Sequence, residues 1–222
     1  MPLDTADSRL SDIHQRIARA ADQARRDPAD VQLIAISKTY QADAIQPLID
    51  AGHRAFGENR VQEAAGKWPK LRETTSGIEL HLVGQLQSNK AEEAVALFDS
   101  IHSLDRPSLV TALARAMDKT GRRPACFIQV NIGDEPQKGG CSVADLPALL
   151  KDARNAALPV TGLMAVPPLE LESAPYFALL AKLARDHGLA GLSMGMSDDF
   201  ETAVTIGATH VRVGTALFGA RA

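Results

Sequence analysis

The chain has 222 residues, of which 45% are hydrophobic and 23% charged; this suits one barrel-sized globular domain over residues 1–222 without a disulfide or metal staple. A formal net charge of −3 gives no basic surplus to draw it to nucleic acid or anionic lipid, and 4% aromatics is too few for base-stacking platforms. No apolar run reaches membrane-spanning length.

The first predicted element is a helix. Leu10, Ile13, Ile17 and Ala20 or Ala21 recur at helical spacing among polar residues, and Pro28 is expected to close it. Asp4, Asp7 and Asp12 precede any apolar run, which argues against a signal or transit peptide and for a cytoplasmic protein. A regular alternation follows. Apolar runs rich in Val, Ile and Leu at 32–39, 55–59, 79–85, 100–105, 125–131, 159–166, 191–196 and 210–219 read as strands. Amphipathic stretches at 42–51, 60–72, 90–98, 107–120, 143–157, 174–187 and 198–206 read as helices. Such alternation implies parallel strands with right-handed crossovers. Eight strands favour a closed (β/α)8 TIM barrel with an extra N-terminal helix; one miscounted strand would leave an open doubly wound sheet. Pro167-Pro168 and Gly139-Gly140 read as loops after the sixth and fifth strands, and nothing reads as a linker.

Cys126 and Cys141 form no CxxC pair, and the histidines show no paired ligand spacing, so no metal is predicted and a reducing compartment is expected. His81 reads as a core histidine, and Trp68 as a packing residue of its helix.

Barrel active sites form where the strands end. The first strand runs Leu33-Ile34-Ala35-Ile36-Ser37-Lys38-Thr39, which puts Lys38 on the face of Ile34 and Ile36. Lys38 is either a lysine leaving for solvent or a partly desolvated amine able to form a Schiff base with an aldehyde. The seventh run ends at Ser197 and the eighth contains Arg212, Gly214 and Thr215. Barrels often bind phosphate with the loops after strands seven and eight. Ser197 alone reads equally well as a helix cap. Arg212, between two valines, needs either an internal carboxylate or a ligand. Closure brings the eighth strand beside the first, so the implied ligand carries a carbonyl at one end and a phosphate at the other.

Ile36-Ser37-Lys38-Thr39, Phe56-Gly57-Glu58-Asn59, the stretch HLVGQLQSNK from His81 to Lys90, Gly162-Leu163-Met164, Ser193-Met194-Gly195-Met196-Ser197 and the segment from Arg212 to Gly219 together resemble the pyridoxal phosphate homeostasis protein family. The resemblance runs from the first strand to the C-terminus. It implies a barrel like the N-terminal domain of alanine racemase, with pyridoxal 5'-phosphate (PLP) held as a Schiff base on Lys38. It also implies that Arg212 faces the pyridine nitrogen, that Ser197, Gly214 and Thr215 contact the phosphate, and that Asn59 lies near the ring. The implied role is vitamin B6 homeostasis, with apo-enzymes that use PLP as possible acceptors of the cofactor. Tyr40 stands where many relatives carry a second lysine, and Lys138 matches a loop lysine common in the family, though a solvated loop lysine reads as well.

Two rival readings remain. A racemase of the alanine racemase type needs a second base, usually a tyrosine from another domain; here only Tyr40 and Tyr176 exist, and Tyr40 is the candidate. A cofactor-free Schiff-base aldolase often places its lysine on strand six, and this strand six has none. Without a dimer-forming second domain, a monomer is the expected state.

Overall fold

A computed structural model describes residues 5–219; the early acid Asp4 lies outside them. The strands are β1 (Gln32–Ile36), β2 (Ala55–Glu58), β3 (Glu79–Leu82), β4 (Ser100–Leu104), β5 (Ala125–Gln129), β6 (Val160–Met164), β7 (Gly191–Ser193) and β8 (His210–Val213). The helices are α1 (Ala6–Gln23), α2 (Ala42–Asp50), α3 (Val61–Thr74), α4 (Ala91–Leu97), α5 (Pro107–Thr120), α6 (Leu146–Asn155), α7 (Ala174–Asp186), α8 (Phe200–Ile206) and α9 (Thr215–Phe218). All strand pairs are parallel and the sheet closes on itself in the order β1 to β8. Closure runs from Gln32 beside His210 to Ala35 beside Val213. That pairing decides for the barrel over the open sheet.

The leading helix is amphipathic, as its spacing predicts. Thr5 and Ser8 form a reciprocal capping box at its start, and Leu10, Ile13, Ile17, Ala20 and Ala21 are its buried face. It packs on α8 and α9, and the Arg16 guanidinium binds Glu201 with two N–H groups. It ends earlier than the predicted stop at Pro28. Arg25 takes φ +53 and the Arg26 N–H reaches the Ala21 carbonyl, a left-handed cap that needs no proline. Pro28 opens a short 3-10 turn instead.

Several strands end before their apolar runs do. The eighth is the largest correction: predicted through 219, it stops at Val213. Gly214 leaves the extended region, at φ −115 and ψ −88, and its carbonyl accepts the Leu217 and Phe218 N–H groups to start α9. No helix among the described residues is long and apolar enough to cross a membrane.

Candidate functional site

The C-terminal strand ends surround a cavity of about 370 Å3. Lys38, Asn59, Ser197, Arg212, Gly214 and Thr215 all lie on its wall, so the structure brings together every site residue chosen from the sequence. Ile36, Met164 and Met196 are part of the apolar lining. A larger recess of about 590 Å3, beside His14, His53 and Arg54, opens at the opposite end where β1 and β2 begin. Only the smaller cavity sits where barrels do chemistry and combines an amine, a guanidinium and hydroxyls on an apolar wall.

Lys38 lies just past β1, in a turn closed by the Tyr40 N–H on the Ser37 carbonyl at 3.1 Å. It is half-buried, and among the described residues its amine has no hydrogen-bond or ion-pair partner. Its place on the cavity wall is the one that the desolvated-amine reading requires. Thr39, the next residue, takes φ +68.

Arg212 is 5% exposed. Its Nη1 donates to Ser193 Oγ at 2.6 Å and its Nη2 to the Ala165 carbonyl at 3.0 Å. Among the described residues no carboxylate forms an ion pair with it, so of the two sequence options internal pairing is excluded. Burial pulls its guanidinium down to about 10, against the field of Asp199, and it stays cationic at neutral pH. A guanidinium carries five N–H donors, so two neutral partners leave donors available on the cavity side.

The support of Arg212 extends through the barrel interior. Ser193 Oγ also lies 2.9 Å from His102 Nδ1, and His102 Nε2 lies 3.0 Å from His81 Nδ1. A guanidinium only donates, so Ser193 Oγ accepts from Arg212, while the directions of the Ser193–His102 and His102–His81 contacts are set by the histidine tautomers. His81 Nε2 then faces Glu79 Oε1 at 3.5 Å. Burial lowers His81 to about 3 and His102 well below its ordinary value, which keeps this chain of rings neutral. His81 is a core histidine, as expected. His102 was not singled out from the sequence, and Ser193 only within a family motif; their signal is a polar side chain inside a buried barrel strand.

At the opposite corner, Gly195 takes φ +91, and a Cβ there would sit 2.5 Å from Ala203 Cβ. This turn lets Asp199 Oδ1 accept the Met196 N–H at 2.7 Å, and α8 begins after Asp199. Ser197 is thus not the helix cap, and it lies on the cavity wall beside Thr215. Asn59 follows β2. Gly84 passes so close that a Cβ would lie 2.2 Å from the Asn59 carbonyl oxygen.

Asn59 also borders a neighbouring recess of about 280 Å3 that Lys138 lines. Lys138 is no freely solvated loop residue: its ammonium donates to the Pro167 carbonyl at 2.8 Å and pairs with Glu135 at 2.5 Å. Tyr40, the candidate second base, is off the cavity wall. Its ring stacks on Phe218 at 4.3 Å and its hydroxyl is buried without a partner among the described residues.

Known proteins share this fold. The alanine racemase N-terminal domain family matches over residues 9–222. The pyridoxal phosphate homeostasis protein of Pseudomonas aeruginosa is 41% identical, over 99% of this chain and 97% of that one. The chain belongs to the pyridoxal phosphate homeostasis protein family. Its Escherichia coli K12 namesake is 40% identical over 96% of this chain and 95% of its own. Among solved structures, PipY of Synechococcus elongatus is 42% identical. Without PLP it covers 93% of this chain and all of its own (100%) at a TM-score of 0.82; with PLP bound it covers 91% and 100% at 0.79. Alanine racemase of Clostridium difficile, at 12% identity and a TM-score of 0.72, shares the fold; this chain spans 57% of it. The homeostasis family thus uses the racemase barrel, and the alanine racemase-like fold read from the motifs is the one observed.

Proposed function

We propose that this cavity holds PLP, and that the chain serves intracellular vitamin B6 homeostasis as a binding protein rather than a turnover enzyme. The observation that carries the reading is one cavity with an amine, Lys38, and a buried guanidinium, Arg212, neither of which forms an ion pair among the described residues. Bound there, the cofactor supplies an aldehyde carbon that an amine can condense with. Lys38 is the amine, and it holds the ligand as a Schiff base. Arg212 donates an N–H to the ring nitrogen; a group that stays cationic keeps that nitrogen from being protonated and weakens the ring as an electron sink. Ser197 and Thr215 donate their hydroxyls to the phosphate, Gly214 allows close backbone approach, and Asn59 stands beside the ring. The position of Tyr40 off the wall supports binding over racemisation, as do the names of the relatives. Apo-enzymes that use PLP are the acceptors this role implies, and a cytoplasmic monomer is its expected form.

The test is the absorbance spectrum of the purified protein. Added PLP is expected to give a visible band that Lys38→Ala abolishes; a protein that stays colourless overturns the reading. Robust racemase turnover would overturn the non-enzymatic half. A further prediction concerns the phosphate corner. A hydrogen bond to a charged group is worth about 1.5–3 kcal/mol, so Ser197→Ala or Thr215→Ala should each weaken PLP binding roughly 10- to 100-fold in equilibrium dialysis. Unchanged affinity in both variants would remove that corner from the site.

A further inference from the structure

The third helix carries Glu63 and Lys67 one turn apart. Such a pair ordinarily sits in solvent, yet Lys67 is only 6% exposed, which is rare for a lysine. Its ammonium lies 2.8 Å from Glu58 Oε1 and 3.1 Å from Glu63 Oε1. It also lies 2.8 Å from the Ser37 carbonyl and 2.9 Å from the Tyr40 carbonyl. Those two carbonyls bracket the turn that presents Lys38.

The same acids hold the turn a second time. Glu63 Oε1 accepts the Thr39 N–H at 2.5 Å, and the fully buried Glu58 accepts the Ser37 hydroxyl at 2.6 Å. The Trp68 indole N–H, at 3.0 Å, donates to that same oxygen, Glu58 Oε1. What this network holds is strained. Thr39 is β-branched and sits at φ +68, a conformation that such a residue rarely adopts and that turns of this kind usually assign to glycine. Backbone strain of this sort persists only where the surroundings over-determine it. A buried ion pair is by itself weak support for stability, so its placement on this turn suggests a task in specifying the conformation.

We propose that Lys67 is a positioning residue for Lys38: with Glu58 and Glu63 it locks the turn 37–40 in its strained form and so aims the Lys38 amine into the cavity. The inference rests on Lys38 being the cofactor lysine. Lys67 is not on the cavity wall and acts only through the turn.

The test uses full-length Lys67→Met and Glu63→Ala proteins, each with and without Thr39→Gly. Two quantities are measured: PLP affinity from the Lys38-dependent visible band, and amide exchange at Thr39 without cofactor. Apparent affinity falls with the fraction of chains holding the competent turn, so Lys67→Met should bind PLP roughly 10- to 100-fold more weakly. Exchange at Thr39 should speed up in the cofactor-free protein. Thr39→Gly, which removes the strain, should restore most of the lost affinity, an outcome that a purely structural role for Lys67 does not produce. Unchanged affinity in folded Lys67→Met, or no recovery with Thr39→Gly, overturns the proposal. If Lys67→Met does not fold, Glu63→Ala, which leaves the Lys67–Glu58 pair intact, decides by the same two outcomes. A wild-type protein without a Lys38-dependent band overturns the cofactor assignment, and this proposal falls with it. A band that is present but indifferent to Lys67 overturns the positioning role alone.

Discussion

Acidification from about pH 7.5 to about pH 5.5 is expected to remove on the order of 5 kcal/mol of folding stability. The source is the set of buried imidazoles. Burial holds His81 at about 3, His53 and His210 at about 4, and His102 well below its ordinary value. In the unfolded chain each titrates near 6.5. Below that value the unfolded state binds protons that the folded state refuses, so stability is full above about pH 7 and falls as pH drops towards the folded values. Each ring contributes a little over about 1 kcal/mol in total across that window, because the unfolded imidazole is fully protonated only towards its lower end. Glu58 works the other way at the acid end, because burial raises its carboxyl and the folded state takes that proton first. Urea unfolding at a series of pH values measures the slope. A flat stability between those two pH values would contradict the neutral histidine chain.

The second large effect is at Trp68. It is fully buried, packs on Phe56 at 4.9 Å between ring centres, and donates its indole N–H to Glu58. Trp68→Ala is expected to cost about 3–5 kcal/mol, from lost burial and the cavity left behind. Trp68→Phe keeps most of the apolar volume and removes the donor, so it should cost about 1–3 kcal/mol. Denaturant titration separates them. Equal losses in the two variants would mean that the hydrogen bond to Glu58, not the volume, dominates at this position.

The strand–helix rhythm, the barrel and the group of residues on the cavity wall were legible in the sequence; the strand ends were not. Val83, Val166 and Met196 continue the apolar runs of β3, β6 and β7 past the last strand residue and line the cavity. Periodicity registers that a side chain avoids water, and a ligand-sized wall satisfies it as well as a neighbouring strand does. Gly214 was a visible breaker, yet Val-Arg-Val before it and Ala-Leu-Phe after it read as one run. Asn59 was chosen from the family motif, because its own residue type in a loop carries no distinguishing signal. Lys67 and Glu63 carry no signal of burial in the sequence, since that burial arises only when the turn after β1 folds across α3. His102 shows the opposite case. Its place inside a barrel strand is readable, but its partners come from β3 and β7, far away in the chain.

Barrel closure also sets an order of events for a chain emerging from synthesis. Lys38 is made early, while Arg212, Gly214 and Thr215 are made last, and these two sides of the cavity meet only when β8 pairs with β1. A nascent chain that has not yet delivered β8 owns the Lys38 amine but only one side of the cavity. Under the proposed role, retention of PLP on Lys38 would therefore mark a chain whose barrel has closed, and chains lacking β8 would leave the shared pool untouched.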